Sequence, residues 1–187
     1  YWLNHFILRK HTRAVFKLYT LCYTMTEEQK EQCKRDFGAN MKILRKSGLF
    51  ESQFEKKCVS SPIRFVYGGG IYLNRYKTLQ ALATAMKKIN EGGVKMTLDI
   101  YTNNELPSKD CALLNDGTTS RMHGAVSMAE LRDIYHQSDV ALHCEGFDLQ
   151  SQYTVRLSFS TKIIDCMDSG CAVMAICDEK QAGGAYL

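Results

Sequence analysis

From Pro62 onward the apolar positions change period repeatedly. Short, nearly continuous apolar runs alternate with stretches spaced by three and four residues, the pattern of strands and helices in a parallel sheet covered on both faces. Residues 63–67 read as a buried strand, followed by Gly68-Gly69-Gly70 and a helical pattern through Leu79, Leu82, Ala83, Met86 and Ile89 that Gly92-Gly93 closes. Residues 94–101 alternate at Val94, Met96, Leu98 and Ile100, which predicts a second strand. A weaker helical stretch at 109–114 and a short strand at 121–123 come next. Ser127, with Glu130 three residues on, forms a capping box for a helix running to about Gln137. Residues 140–144 give a fourth strand, and a long polar loop from Glu145 leads to a helix at 161–168 stopped by Ser169-Gly170. Residues 172–176 give a fifth strand. The expected fold is therefore α/β, a Rossmann-like, doubly wound parallel sheet.

The first sixty residues do not share this repeat. Residues 16–25 read as a strand, Thr26 with Glu28, Glu31 and Lys34 begins a polar helix ending near Gly38, and 41–44 read as another short strand. Residues 47–61 look like a charged connector. Residues 1–60 hold 12 basic and 6 acidic side chains, a surplus of +6, whereas 61–187 hold 12 and 14, or −2. The basic charges are dispersed, with no aromatic interleaving beyond Tyr19 and Tyr23, so a nucleic-acid partner is not expected.

At 187 residues, 45% hydrophobic and 24% charged, the chain is long and apolar enough for a packed core. Eight cysteines include no C-x-x-C, and most lie in apolar runs such as 141–144 and 175–177. Buried free thiols are the expected reading, which favours the cytosol. The apolar stretch near Phe6 is broken by Arg9 and Lys10, so neither a spanning helix nor a signal peptide is expected. The chain opens on Tyr1 and stops at Gly183-Gly184-Ala185-Tyr186-Leu187 without an expected closing helix, and an excised fragment is anticipated.

In an open parallel sheet the ligand crevice lies at the carboxyl ends of the strands, and the loops there carry the candidate chemistry. The first is Gly68-Gly69-Gly70 with Arg75 and Lys77 behind it. Glycines let backbone N–H groups approach a phosphate, and the two cations can neutralise it. Taken alone, it is equally a tight turn beside two solvated cations. It is neither G-x-G-x-x-G nor G-x-x-x-x-G-K-[ST]. His123-Gly124-Ala125-Val126-Ser127 reads alone as a strand-to-helix turn with a structural histidine. Glu145 and Asp148 end the fourth strand, and a carboxylate there is solvated, paired or used on a ligand. Arg156, Ser158, Ser160, Thr161 and Lys162 then form a plausible anion site, with Asp165 one turn further on. A phosphate and a ribose hydroxyl on adjacent turns would suit a nucleotide. No cluster of metal-spaced carboxylates or histidines is visible.

These pieces, in this order, resemble the donor-binding C-terminal domain of GT-B-fold retaining glycosyltransferases of the group 1 type. They are Gly70, Arg75 and Lys77; Asp99-Ile100-Tyr101; Gly124-x-Val126-Ser127 before Glu130-Leu131 and Tyr135; Ser138-Asp139-Val140; Glu145-Gly146-Phe147; and Ser160-Thr161-Lys162 through Gly170. The helix from Thr26 to Gly38 and the stretch from Lys42 to Gly48 are similar to the end of the family's N-terminal domain. The resemblance implies residues 1–45 as the end of an acceptor domain and its crossing, and 46–187 as a nucleotide-sugar domain truncated at its C-terminus.

Carried over residue by residue, the resemblance implies Gly70, Arg75, Lys77, Ser160, Thr161 and Lys162 at the donor diphosphate. Val126 would offer its backbone to the base, Asp165 would take the ribose hydroxyls, and Glu145 would lie against the sugar as the catalytic carboxylate. The family pattern is E-x7-E, whereas here the second acid is Asp and nineteen residues separate it from Glu145. The added loop carries Asp148 and Arg156, which the sugar site could recruit. The implied activity is transfer of a sugar from a nucleoside-diphosphate donor, without metal or resident cofactor. The acceptor would be a glycan, lipid or protein, and cations would stabilise the leaving group. The implied place is the cytoplasm, with room for peripheral membrane association at its inner face through the N-terminal domain. Such a fragment is expected to bind donor weakly and turn over slowly. Two other readings compete. A pyridine-nucleotide dehydrogenase lacks support, because Tyr101-Thr102-Asn103 stands where an acid would hold the ribose. A non-catalytic nucleotide-binding module derived from a transferase remains the alternative.

Overall fold

The strand β3 (Ile63–Gly68) lies at the centre of the sheet because its run Phe65-Val66-Tyr67 is buried on both faces. A computed structural model describes residues 2–48 and 59–187. β3 pairs in parallel with β4 (Met96–Tyr101) from Ile63 opposite Met96 to Gly68 opposite Tyr101, and β4 pairs with β5 (Ser120–His123). On its other side β3 pairs with β6 (Val140–Cys144), and β6 with β7 (Ala172–Ile176). The order is β5-β4-β3-β6-β7, all parallel.

Two helical layers follow from the pleat, which sends alternate side chains to opposite faces. Phe65, Tyr67, Leu98, Ile100, Leu142 and Cys144 form one core with Leu79, Ala83 and Met86 of α3 (Arg75–Ile89) and Leu114 of α4 (Ser108–Leu114). Val66 and Ala141 meet Tyr135 of α5 (Met128–His136) and Cys166 of α7 (Lys162–Met167) on the opposite face. The capping box at Ser127 and Glu130 is formed. The sheet thus has the expected Rossmann-like, doubly wound arrangement. Its winding reverses between β3 and β6, and the loops leaving those two strands flank the crevice.

The sequence pattern and the structure differ at five places. Residues 2–16 form α1 (Trp2–Phe16), which carries no apolar stripe: Phe6, Ile7 and Leu8 follow one another and are exposed. Its hold on α2 (Glu27–Phe37) includes Arg9, which donates to the Asp36 carboxylate at 2.6 Å, Arg13, which donates to the Asp36 carbonyl at 2.8 Å, and the Phe16 and Phe37 rings 5.6 Å apart. The strand expected at 16–25 is only β1 (Cys22–Thr24), parallel to β2 (Met41–Ile43), with α2 between them. The loop after Glu145 contains α6 (Leu149–Val155), and the chain ends in α8 (Ala182–Tyr186). The second strand of the sheet begins at Met96 rather than Val94. Most of the expected connector, 49–58, lies outside the described residues.

All seven cysteines among the described residues are free thiols, but only Cys144 and Cys166 are buried. Burial pushes these two up, to about 12 and about 11. Among the described residues no helix is long and apolar enough to cross a membrane.

Candidate functional site

The loop between β3 and α3 is shaped by its glycines. Gly69 has φ +135°, and a Cβ there would lie 2.8 Å from Cδ of Lys162, so the side chain from α7 runs directly over the glycine. Lys162 Nζ donates to the Tyr67 hydroxyl at 2.5 Å, and that hydroxyl donates to the Gly70 carbonyl at 2.7 Å. Asn104 Oδ1 accepts from the Ile71 N–H at 2.9 Å and fixes the next residue. Leu73 and Asn74 then turn through positive φ before α3 starts at Arg75.

Arg75 is only 6% exposed and Glu145 4%. The guanidinium donates through Nε to Oε2 at 2.7 Å and through its terminal nitrogen to Oε1 at 3.0 Å. This two-point match of fork and carboxylate joins the loops on either side of the winding reversal. The Tyr72 ring covers the guanidinium at 4.7 Å, and Thr78 Oγ1 donates to the Glu145 carbonyl at 2.7 Å. Burial by itself would make Arg75 easier to deprotonate; its hydrogen bonds and charge contact with Glu145 outweigh that and hold it above its ordinary range.

Two more basic groups surround this pair. Burial, and then the charge of Arg75, push Lys162 down to about 8. His143, on β6, is buried with Nε2 3.8 Å from Glu145 Oε1. Burial, then Lys162 and Arg75, push its imidazole down to about 4, so it is neutral at ordinary pH. Its Nδ1 has no hydrogen-bond partner among the described residues. The loops leaving β3 and β6 therefore gather two cations, one carboxylate and a neutral imidazole, a setting that favours an arriving anion.

Gly70, Arg75, Lys162 and Glu145 thus come together at one place. Asp165 lies three residues beyond Lys162 on α7 but faces a separate cleft of ≈ 500 Å³, lined by Met128, Leu131, Arg132, Tyr135 and Asp168. It is ion-paired with Lys46, from the segment after β2. Val126 is half-buried in the loop that leads to α5. Lys77 is exposed and lines an apolar groove of ≈ 330 Å³ with Thr78, Phe147 and Ile176. Ser160 accepts from the Ile163 N–H through its carbonyl at 3.1 Å, and Thr161 is exposed without a capping bond.

The residues added to the fourth loop do not enter the crevice. Asp148 caps α6, accepting from Ser151 N–H at 3.0 Å, and bonds from Ser151 and Asn74 hold its carboxyl down to about 2. Arg156 is exposed with its guanidinium 3.7 Å from the Tyr153 ring centre. His123 pairs with Asp99 at 2.7 Å and stacks on Tyr101, its centroid 4.5 Å away. Among the described residues no three His, Cys, Asp or Glu converge as metal ligands would.

Sequence reasoning missed Tyr67, His143 and Lys46. A polar ring inside the apolar run 140–144 was the signal for His143, whereas Lys46 offered none.

No family model matches the chain, and no curated protein does either. Among solved structures it is similar to a chain of a crystal structure described as the GtfA/B complex, with a TM-score of 0.59 and 16% identity. That match covers 88% of this chain and 32% of the other, so the sequence spans about a third of its neighbour's length. At such identity the likeness is one of fold.

Proposed function

We propose that this chain supplies the donor half of a GT-B glycosyltransferase, which moves a sugar from a nucleoside diphosphate to an acceptor. The gathering of Arg75, Lys162 and Glu145 around the Gly69-Gly70 loop carries this reading, and the fold likeness supports it. Arg75, Lys162 and the Gly70 backbone take the diphosphate, with Ser160 and Thr161 adding hydroxyls and Lys77 turning inward from its groove. Val126 offers its backbone to the base, and Asp165 binds the ribose once Lys46 has left it. Glu145 faces the sugar. Residues 1–45 belong to the acceptor half and 46–187 to the donor half. The acceptor is a glycan, lipid or protein brought by the rest of the molecule in the cytoplasm, at the membrane face where the acceptor demands it.

Chemically, the site stabilises a leaving diphosphate and an oxocarbenium-like sugar, retaining configuration at the anomeric carbon. Fixed cations in a dry crevice do this without solvent reorganisation and need no metal or resident cofactor. Both acids are already paired within the chain, to Arg75 and Lys46, and this favours the second reading, a nucleotide-binding module without turnover.

Thermal stabilisation of the full-length protein tests the proposal, with uridine, guanosine and adenosine diphosphates and their sugars set against NAD and inorganic phosphate. One nucleoside diphosphate at a hundred times its dissociation constant should raise Tm by about 5–10 °C. Lys162→Met should abolish the shift, and Asp165→Asn should reduce it. A flat response to every diphosphate would overturn the reading. Donor cleavage by the full-length protein separates the transferase from the silent module.

A further inference from the structure

His143 is buried between groups that a diphosphate would reorganise. Burial, and then the charges of Lys162 from α7 and Arg75 from α3, disfavour the protonated imidazole. The nearest acid is Glu145, 3.8 Å from Nε2, whose charge is committed to Arg75. Tyr67 from β3 is un-ionised, because burial raises its hydroxyl well above the ordinary range. From the loop after β7, Cys177 lies within the charge field of Glu145 and Asp178, and its thiol is raised by burial and then by those two acids. α8 places Gly183 against the ring: a Cβ there would lie 3.7 Å from Nε2. Nδ1 is buried without a hydrogen-bond partner among the described residues, and Nε2 stands beyond hydrogen-bond distance of Glu145.

A diphosphate held by Arg75 and Lys162 reverses this field. Its charge cancels both cations, and each guanidinium N–H that turns to a phosphate oxygen is lost to Glu145. A buried carboxylate cannot stay charged without a partner, and His143 is the closest neutral base. We infer that His143 is a positioning residue that takes up a proton from solvent as the diphosphate binds and replaces Arg75 as the charged partner of Glu145. The proton enters at the ring, Nε2–H then faces Oε1, and the carboxylate stays oriented. No bond is made or broken besides the N–H. The sign follows from linkage: a base whose proton affinity rises on binding makes binding tighter as pH falls.

This inference rests on the diphosphate reading, and the experiment separates the two. The nucleoside diphosphate selected by the stabilisation panel is titrated calorimetrically into the full-length protein at pH 7.5, in buffers of different ionisation enthalpy. The wild type should take up close to one proton more than His143→Gln, the ligand's own ionisation being common to both. Affinity of the wild type should fall by up to about tenfold more per pH unit than that of the variant. Imidazole NMR shifts of His143 in the wild type provide a readout free of any folding defect, and should move to the protonated values on saturation. Equal proton uptake by wild type and variant, or an imidazole that stays neutral in the complex, would overturn the inference while leaving the binding site intact. Failure of every diphosphate to bind would overturn both.

Discussion

Asn74 donates its side-chain amide to Asp148 at 2.7 Å, linking the loop before α3 to the cap of α6. Ser151 Oγ donates to the Leu73 carbonyl at 2.8 Å beside it. The segment after β6 is therefore tied to the loop between β3 and α3. The closest approach is at Gly146, where a Cβ would lie 2.1 Å from the Leu73 carbonyl oxygen, which is backbone and has little room to move. Gly146→Ala should destabilise the protein by about 1–3 kcal/mol, as overpacking does. Gly124→Ala, which meets nothing within 4 Å, should stay within about 0.5 kcal/mol of wild type. Urea unfolding of both variants checks the contrast, and equal midpoints would contradict the close approach.

The Arg75–Glu145 pair makes a prediction of a different kind. Removing either partner strands the other charge in a dry site, so Arg75→Met or Glu145→Met alone should cost about 3–5 kcal/mol. The double substitution leaves no orphaned charge and should cost much less than the two single losses combined. A thermodynamic cycle by chemical denaturation measures this, and additive losses would show that the two side chains do not depend on each other.

How much of this was legible in the sequence depended on burial and on distance along the chain. β3, β6 and the helix capped by Ser127 announced themselves, because doubly buried strands and capping boxes have local signatures. α6 did not: only Ser151 and Val155 turn inward, and Leu149 is 85% exposed, so no apolar period marks it. The same holds for α1 and its exposed Phe6-Ile7-Leu8. The site divided along similar lines. That Arg75 and Glu145 both stand where a parallel sheet opens its crevice could be read from the strand ends. That they bind each other could not, since they lie seventy positions apart and their pairing depends on strand order. Lys46 and Asp165 are further apart still.

Asp116 provides a pH-dependent prediction away from the crevice. Its Oδ1 accepts from the N–H groups of Thr118, Thr119 and Ser120 at 2.9, 2.7 and 3.1 Å, holding the turn into β5. Burial opposes ionisation, but these bonds win and hold the carboxyl down to about 2. The folded-state value lies below the unfolded one, so the stabilisation is complete above the unfolded value near 4 and is lost as pH falls towards 2. Asp116 is partly open to solvent, which reduces the effect, and Asp116→Asn should cost about 1–2 kcal/mol at pH 7. Denaturation of the two proteins from pH 7 to pH 2 should show the difference shrinking over that acid range; a gap independent of pH would refute it.

The Lys46–Asp165 pair bears directly on the proposed nucleoside site. Lys46 and Asp165 are 35% and 26% exposed, so their attraction is worth no more than about 1 kcal/mol. If the ribose needs Asp165, then Lys46 competes with it, and Lys46→Ala should bind the nucleoside diphosphate more tightly, by about fivefold or less. Asp165→Asn should bind more weakly, because it offers the ribose hydroxyls a poorer acceptor. The two variants therefore move in opposite directions from one ion pair, which a purely structural role for the pair would not produce. Salt supplies a further check: screening should loosen the pair in the wild type and narrow its difference from Lys46→Ala. Calorimetric titration of the three proteins at low and high ionic strength reads both effects. Weaker binding by Lys46→Ala would show instead that the lysine contacts the ligand.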